Sequence, residues 1–312
     1  MTAQTVARAC GVNQSTVSRI LGGKHASLYN EETQRRVREM AAQLGYRPNT
    51  AARATASGRF HAIGLVFRDE GGTVGSSIVY GVNEVLREEN LRLVLSPIHV
   101  RDELSESPLF MQELAVDGLI VSLMQDVPAK FRELVDRHRM PVVWVNTKFD
   151  TNCVRPDDTG MAAEVTNALI ERGHRRILFA MYDLDQSYHY SGADRCDGYE
   201  GAMREAGLEP WFRNVGKPSW RGGKDGMEAI LEMPDLPTAV VCTLDDMANR
   251  LLYAAARRGI RVPDDLSVAA IKNQAVSPLG IAIGGCEVPF RQIGDAAARM
   301  LQRRIDTGDD QP

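Results

Sequence analysis

The sequence predicts two structural classes in one chain: a small all-α head over about the first sixty residues, followed by an α/β core of two parallel-sheet lobes. Three observations carry this. The segment VARACGVNQSTVSRIL at 6–21 spaces apolar residues at helical intervals on either side of a glycine. From residue 61 onward, apolar runs of strand length alternate with amphipathic stretches of helix length. Charge divides at the same place: residues 1–60 hold nine Lys or Arg against three acids, net +6, while the whole chain is −4 and the remainder therefore −10.

The head reads as a helix-turn-helix. Two closely crossing helices need a small residue at the crossing, a left-handed turn position and spaced apolar anchors; Ala7, Gly11, Val12, Val17 and Ile20 supply them. Thr2 is suited to cap the first helix and Asn13 the second. With Val17 and Ile20 turned inward, helical spacing turns Gln14, Ser15, Ser18 and Arg19 outward together. Gln14 and Arg19 suit bidentate reading of adenine and guanine, while Thr16 and Ser18 suit phosphate contacts. A third helix follows, with Asn30 as cap, Glu31 and Glu32 in its first turn, and Val37, Met40 and Leu44 on one face. One basic end on an acidic body is the pattern of a polyanion binder, and a helix presented this way suits the DNA major groove. The plainer alternative is a three-helix packing module with solvated Arg and Glu. The turn glycine, the small crossing residue and the charge asymmetry together favour DNA.

In the core, AIGLVF (62–67), LRLVLS (91–96), DGLIVSL (117–123) and PVVWVN (141–146) form one set of strands; RILFAM (176–181), TAVVCT (238–243) and LSVAAI (266–271) form another. Continuous apolar strands covered by helices imply two parallel sheets, hence two Rossmann-like lobes joined near 153–160 and again near 275–290. Ligands in such lobes sit beyond the carboxyl ends of the strands. With 44% apolar and 25% charged residues the composition is that of an ordinary globular protein. No apolar run approaches the roughly 18–20 residues that span a bilayer. No secretory signal opens the chain, so a cytoplasmic location without membrane contact is expected. Cys10, Cys153, Cys196, Cys242 and Cys286 are scattered, odd in number and without metal spacing, which suits reduced thiols. No catalytic motif stands out and neither cofactor nor metal is expected. His174 reads as structural, and Asp157, Asp158, Asp245 and Asp246 as edge residues, the last two capping a helix that begins at Met247.

Along nearly its whole length the sequence resembles the lactose/galactose-repressor family of bacterial transcription regulators. The resemblance rests on TVSRIL, LGYRPNTAAR (44–53), VDGLIV (116–121), ERGHRRILF (171–179), ADRCDGYEGAM (193–203), PTAVV (237–241), RVPDDLSV (261–268) and PFRQIG (289–294). It implies a DNA-binding domain at 1–47, a hinge at 48–60, and a periplasmic-binding-protein-like core at 61–312 that holds effector and dimerises. The first lobe would span about 61–156 plus 275–306, the second about 157–274. It implies a homodimer on a pseudo-palindromic double-stranded DNA operator, controlled by a small sugar or sugar-acid effector. The segment after Pro48 is rich in helix formers but short for a stable isolated helix, and should order on DNA. Asn49, Arg53 and Ala54 then lie near the minor groove. Thr55 occupies the position where the family wedges a leucine between bases, so a weaker central kink is expected. An ordinary Ala/Ser linker is the alternative.

Arg68, Asn146 and Arg195 coincide with ligand-contact positions of the family. Leu244 replaces the usual asparagine, and Lys272 the usual aspartate. Convergence of Arg68, Arg195 and Lys272 would favour an acidic effector, with Trp220 and Phe290 as stacking walls. Alternatively Lys272 snorkels to solvent and Arg68 pairs with Asp69 or Glu70. The GGTVGSS run at 71–77 replaces an aromatic-containing loop of the family and reads as a flexible loop rather than a phosphate-binding one. Family members usually continue beyond the RQIGDAAARMLQRRI helix through one more strand-containing segment, so either an incomplete second lobe or a shortened variant of the family is expected. Two further readings remain: a carrier that binds ligand but no operator, and a DNA-binding regulator whose pocket has decayed.

Overall fold

Each helix of the head starts and stops where its backbone groups find partners. The computed structural model describes residues 1–22, 26–46, 58–68, 73–98, 115–123, 127–182, 189–216, 226–273, 280 and 282–308, with the backbone alone at 68, 73, 74 and 98. Helix α1 (Ala3–Cys10) begins at Thr2, whose hydroxyl accepts from the Thr5 amide, and ends at Gly11 with φ 63°, a left-handed turn open to glycine without a Cβ clash. Helix α2 (Gln14–Gly22) begins after Asn13, whose carbonyl accepts from Val17 N at 3.2 Å. A 3₁₀ turn at Ala26–Leu28 leads to α3 (Glu31–Gln43), capped by Asn30 Oδ1 accepting from Thr33 N at 2.8 Å. Val6, Ala7, Cys10, Val17, Ile20, Val37 and Ala41 close a core among the three helices.

The chain forms two compact units, Met1–His61 and Ala62–Pro312. In the second unit the first lobe runs β1 (Ala62–Arg68), α4 (Thr73–Glu88), β2 (Arg92–Ile98), β3 (Gly118–Ser122), α5 (Ala129–His138), β4 (Val142–Val145) and β5 (Cys153–Val154). The second lobe runs α6 (Asp158–Glu171), β6 (Ile177–Met181), α7 (Tyr190–Glu205), β7 (Trp211–Asn214), a 3₁₀ turn (Glu228–Glu232), β8 (Ala239–Cys242), α8 (Asp245–Arg257), β9 (Ser267–Lys272) and β10 (Gly284–Glu287). Helix α9 (Phe290–Thr307) then returns to the first lobe, where it packs on α4. Both sheets are parallel throughout, in the orders β2-β1-β3-β4-β5 and β10-β9-β8-β6-β7.

Burial on both faces explains why the strands read as continuous apolar runs. On the first sheet, Ile63, Leu65, Ile120 and Val143 pack under Ile78 and Val82 of α4 and Ile293 and Ala297 of α9, while Val66, Leu119 and Val121 pack on Phe131 and Val135 of α5. On the second, Leu178 and Val240 meet Met247 and Leu251 of α8, and Phe179 and Val241 meet Val165 of α6 and Tyr199 of α7. The α4–α9 contact brings backbone to backbone: a Cβ at Gly81 would lie 2.0 Å from Arg291 O, and one at Gly294 2.4 Å from Ile78 O.

One boundary differs from the sequence expectation. Strand β10 pairs with β9, matching Cys286 to Ile271 and Glu287 to Lys272, so the second sheet claims residues up to Glu287. The chain crosses back between Glu287 and Phe290, at the far end of the 275–290 junction and later than the lobe bound at 275.

Candidate nucleic-acid interface and effector cleft

On α2 the buried side chains are Val17 and Ile20. Gln14, Ser15, Ser18 and Arg19 are exposed and Thr16 is half-buried, so one face anchors the helix and the other is presented. Arg19 Nη1 donates to the Tyr29 hydroxyl at 3.4 Å. Hydrogen bonds from Arg19 and then Thr16 hold the Tyr29 phenol below its ordinary pKa. Tyr29 thus tethers Arg19 on the presented face, a contact its place just after the 3₁₀ turn did not announce. Asn49, Arg53, Ala54 and Thr55 of the expected hinge lie outside the described residues, as do Lys24 and Arg47.

In the core, β4 delivers Asn146 at its carboxyl end, buried and in the left-handed region at φ 57°. Asn146 N donates to Val154 O, fixing the turn. From the other lobe, Tyr190 OH donates to Asn146 Oδ1 at 3.1 Å and His189 Nε2 bonds Asn146 O at 3.1 Å. A carbonyl only accepts, so His189 Nε2 carries the proton there; its Nδ1 accepts from Ser191 N and caps α7. Lys148 Nζ and Asp194 Oδ1 form a third link between lobes at 2.7 Å. Burial, ahead of the charge of Asp158, pushes the Tyr190 phenol well above its ordinary range, so it serves as a hydroxyl donor.

Arg195 lies within α7 and is buried. Its Nε donates to Asp158 Oδ1 at 2.7 Å and its Nη1 to Thr243 O at 2.6 Å; among the described residues Nη2 has no partner. Burial raises the Asp158 carboxyl pKa against the pull of Arg195, while Asp158 Oδ2 is buried without a hydrogen bond. Arg195 therefore enters the cleft as half of a balanced pair. Lys272 ends β9 and directs Nζ to Ile283 O at 3.1 Å. Leu244 precedes α8 as a half-buried apolar residue packed on the second lobe's core.

These placements revise several expectations. Arg195, Leu244 and Lys272 gather at the carboxyl edge of the second sheet and Asn146 faces them from the first, but Arg195 is paired with Asp158 and bonds Thr243 O, and Lys272 bonds Ile283 O. The side chain of Arg68 and all of Asp69, Glu70 and Trp220 lie outside the described residues, as do Gly71 and Gly72 of the 71–77 run, whose remainder opens α4. Phe290 is no stacking wall: only 5% exposed, it packs into the first lobe's core because it opens the amphipathic α9. Asp245 and Asp246 do not cap a helix starting at Met247. Helix α8 starts at Asp245, and the two carboxylates accept from Asn273 N and the Tyr182 hydroxyl. Asp157 caps α6 by accepting from Gly160 N, and His174 bonds Thr238, as edge and structural roles require. Among the described residues no cluster of His, Cys, Asp and Glu suits a metal ion, and no helix is long and apolar enough to cross a membrane.

A family model described as bacterial regulatory proteins, lacI family, matches residues 2–49, and one described as a periplasmic binding protein-like domain matches residues 166–312. The chain is 30% identical over 310 residues to the HTH-type transcriptional regulator RegA of Clostridium saccharobutylicum, covering 96% of this chain and 91% of that one. It is 27% identical over 314 residues to catabolite control protein A of Priestia megaterium, covering 98% and 93%. The transcriptional regulator CelR–cellobiose complex matches with 25% identity and a TM-score of 0.64 over 100% of this chain and 95% of that one. The lac repressor dimer bound to operator and the anti-inducer ONPF shares the fold, with a TM-score of 0.81 at 21% identity over 98% and 93%. A helix-turn-helix head with a presented second helix, a two-lobed parallel α/β core and full-length relatives agree: the chain belongs to the LacI family of bacterial regulatory proteins.

Proposed function

We propose that this protein is a homodimeric, cytosolic transcription regulator that represses carbohydrate-utilisation genes from a pseudo-palindromic operator, under control of a small sugar-like effector bound between the lobes. The observation that carries the reading is the presented quartet Gln14, Ser15, Ser18 and Arg19 on a helix anchored by buried Val17 and Ile20. Each subunit sets that face in one major-groove half-site, and two-fold symmetry pairs the half-sites. Gln14 and Arg19 read bases; Ser15, Thr16 and Ser18 hold phosphates and register.

The effector reading is supported by Asn146 and Arg195, which reach the cleft from opposite lobes, and by the cellobiose in the solved CelR complex. Residues at the seam between lobes feel any change in lobe angle, so a ligand that prefers one angle shifts the DNA-competent population. Coupling of the usual size, about 1–3 kcal/mol, changes operator affinity by roughly 5–150-fold.

Fluorescence anisotropy of labelled operator, with and without neutral sugars and sugar acids, tests both halves. Specific binding that at least one sugar alters is expected. A carrier without regulatory DNA binding gives no specific binding at all, and a decayed pocket gives binding that no small molecule changes.

A further inference from the structure

We propose that a cavity of about 300 Å³ at the interlobe seam seats the acid group, a carboxylate or a phosphate, of an acidic sugar effector, with Arg132 and Lys148 as its cations. The proposal rests on the effector reading above and gives that effector a chemical class and an anchoring point.

Charge balance leads here. At the carboxyl edge of the second sheet, Arg195 is neutralised by Asp158, and Lys272 keeps its charge but is turned away onto the Ile283 carbonyl, which leaves a single cation there. At the seam the excess is larger. Arg132 on α5 has no carboxylate partner among the described residues; its guanidinium lies 5.4 Å from the centroid of the Phe149 ring. Lys148 lies 5.8 Å and Arg155 5.9 Å from the centroid of Tyr190, and Arg155 likewise has no ion pair among the described residues. Only Lys148 is matched, by Asp194 at 2.7 Å, and that lysine is 56% exposed. The seam therefore carries an excess of positive charge beside two aromatic rings, Phe149 and Tyr190, which suit the apolar face of a sugar ring.

The cavity is lined from both lobes: Arg132, Asn146, Lys148 and Phe149 from the first, His189 and Tyr190 from the second. Four of its wall residues, Asn146, Lys148, His189 and Tyr190, also link the lobes. An anion drawn to Arg132 competes with Asp194 for Lys148, loosening that interlobe link while the ligand itself bridges the two walls. Occupancy is thereby tied to lobe angle, which is what an effector of this fold must change.

The test is calorimetric titration of the full-length protein with glucuronate, glucose 6-phosphate, glucose and inorganic phosphate, repeated on Arg132→Gln and Lys148→Gln. Both side chains are on the surface, and operator binding by the same preparations reports that each variant is folded. The proposal expects at least one sugar acid to bind, each substitution to weaken it about tenfold or more, and glucose to bind more weakly than its acid counterparts and indifferently to the substitutions. Sugar acids bound equally by wild type and both variants would place the acid group elsewhere and overturn it. So would wild-type protein that binds its operator but takes up no acid probe at millimolar concentration, whether or not glucose binds. Inorganic phosphate binding alone, without a sugar acid, also overturns it, since the aromatic walls then play no part. Failure of operator binding itself would instead strike the regulator reading, so the two failures are told apart.

Discussion

Removing Arg195 leaves Asp158 as a buried carboxylate with nothing to balance it, so the two substitutions should be strongly non-additive. Arg195→Met is expected to destabilise the core by about 3–5 kcal/mol, and Asp158→Asn in the same chain to recover most of that. Chemical denaturation of both single variants and the double reads this directly; a double-variant loss equal to the sum of the single losses would mean that the pair contributes no mutual stabilisation. In the head, Arg19→Ala should cost about 1–3 kcal/mol of specific binding and relax the sequence preference at one position, measured by binding to an operator series. The same substitution should raise the Tyr29 phenol pKa, because the hydrogen bond from Arg19 is the main influence lowering it. A uniform loss over all sequences would make Arg19 a phosphate anchor. A surface pair offers a pH readout. Hydrogen bonds from Arg261 draw the Asp265 carboxyl from its ordinary 3.8 down to about 2. Its folded-state pKa is depressed, so the stability it contributes is present above about 4 and is lost as pH falls toward 2. Carboxyl NMR should find that midpoint, and Arg261→Gln should return it toward the ordinary value.

At the scale of elements, the close crossing of α4 and α9 makes a sharp prediction. A methyl at Gly81 meets the Arg291 backbone carbonyl, which cannot swing aside as a side chain would, so Gly81→Ala should destabilise by about 1–3 kcal/mol or more. Gly201, on the exposed side of α7 with nothing within 4 Å, is the control: Ala there should be neutral or stabilising by about 0.5–1 kcal/mol. Thermal unfolding of both variants decides the matter, and equal shifts would mean that α4 and α9 are less tightly packed. For the hinge, Thr55→Leu should increase operator bending in a circular-permutation gel assay, because leucine wedges a base step better than a threonine methyl. The elements were legible wherever the cause was local: Thr2 and Asn30 are capping types, Gly11 a turn type, and the 62–67 and 266–271 runs are apolar because both faces of a parallel sheet are covered. They were not legible where partners come from far along the chain. Nothing near Arg195 in sequence announces Asp158, 37 residues earlier, or the Thr243 carbonyl, 48 residues later. The partners of Lys272 and Phe290 were likewise distant or tertiary: the Ile283 carbonyl lies 11 residues on, and Phe290 packs into the first lobe's core through the helix it opens. The seam residues Tyr190, His189 and Lys148 carried no periodic signal, although a His-Tyr pair just before a helix is a hint that a cap and an aromatic contact are near.

For the whole molecule, the proposed reading sets DNA recognition on one compact unit and ligand sensing on the other, so their connection is thermodynamic. If the effector favours one lobe angle, the operator must shift effector affinity by the same factor that the effector shifts operator affinity. Whether the sugar induces or co-represses is the sign of that factor. The most direct test of the central claim is to select and sequence genomic fragments bound by the full-length protein at near-physiological salt, alongside Arg19→Ala. The account predicts a pseudo-palindromic motif beside carbohydrate-utilisation genes, with discrimination at one symmetric pair of positions relaxed by the substitution. Salt-sensitive binding that enriches no motif, unchanged by Arg19→Ala, would contradict it.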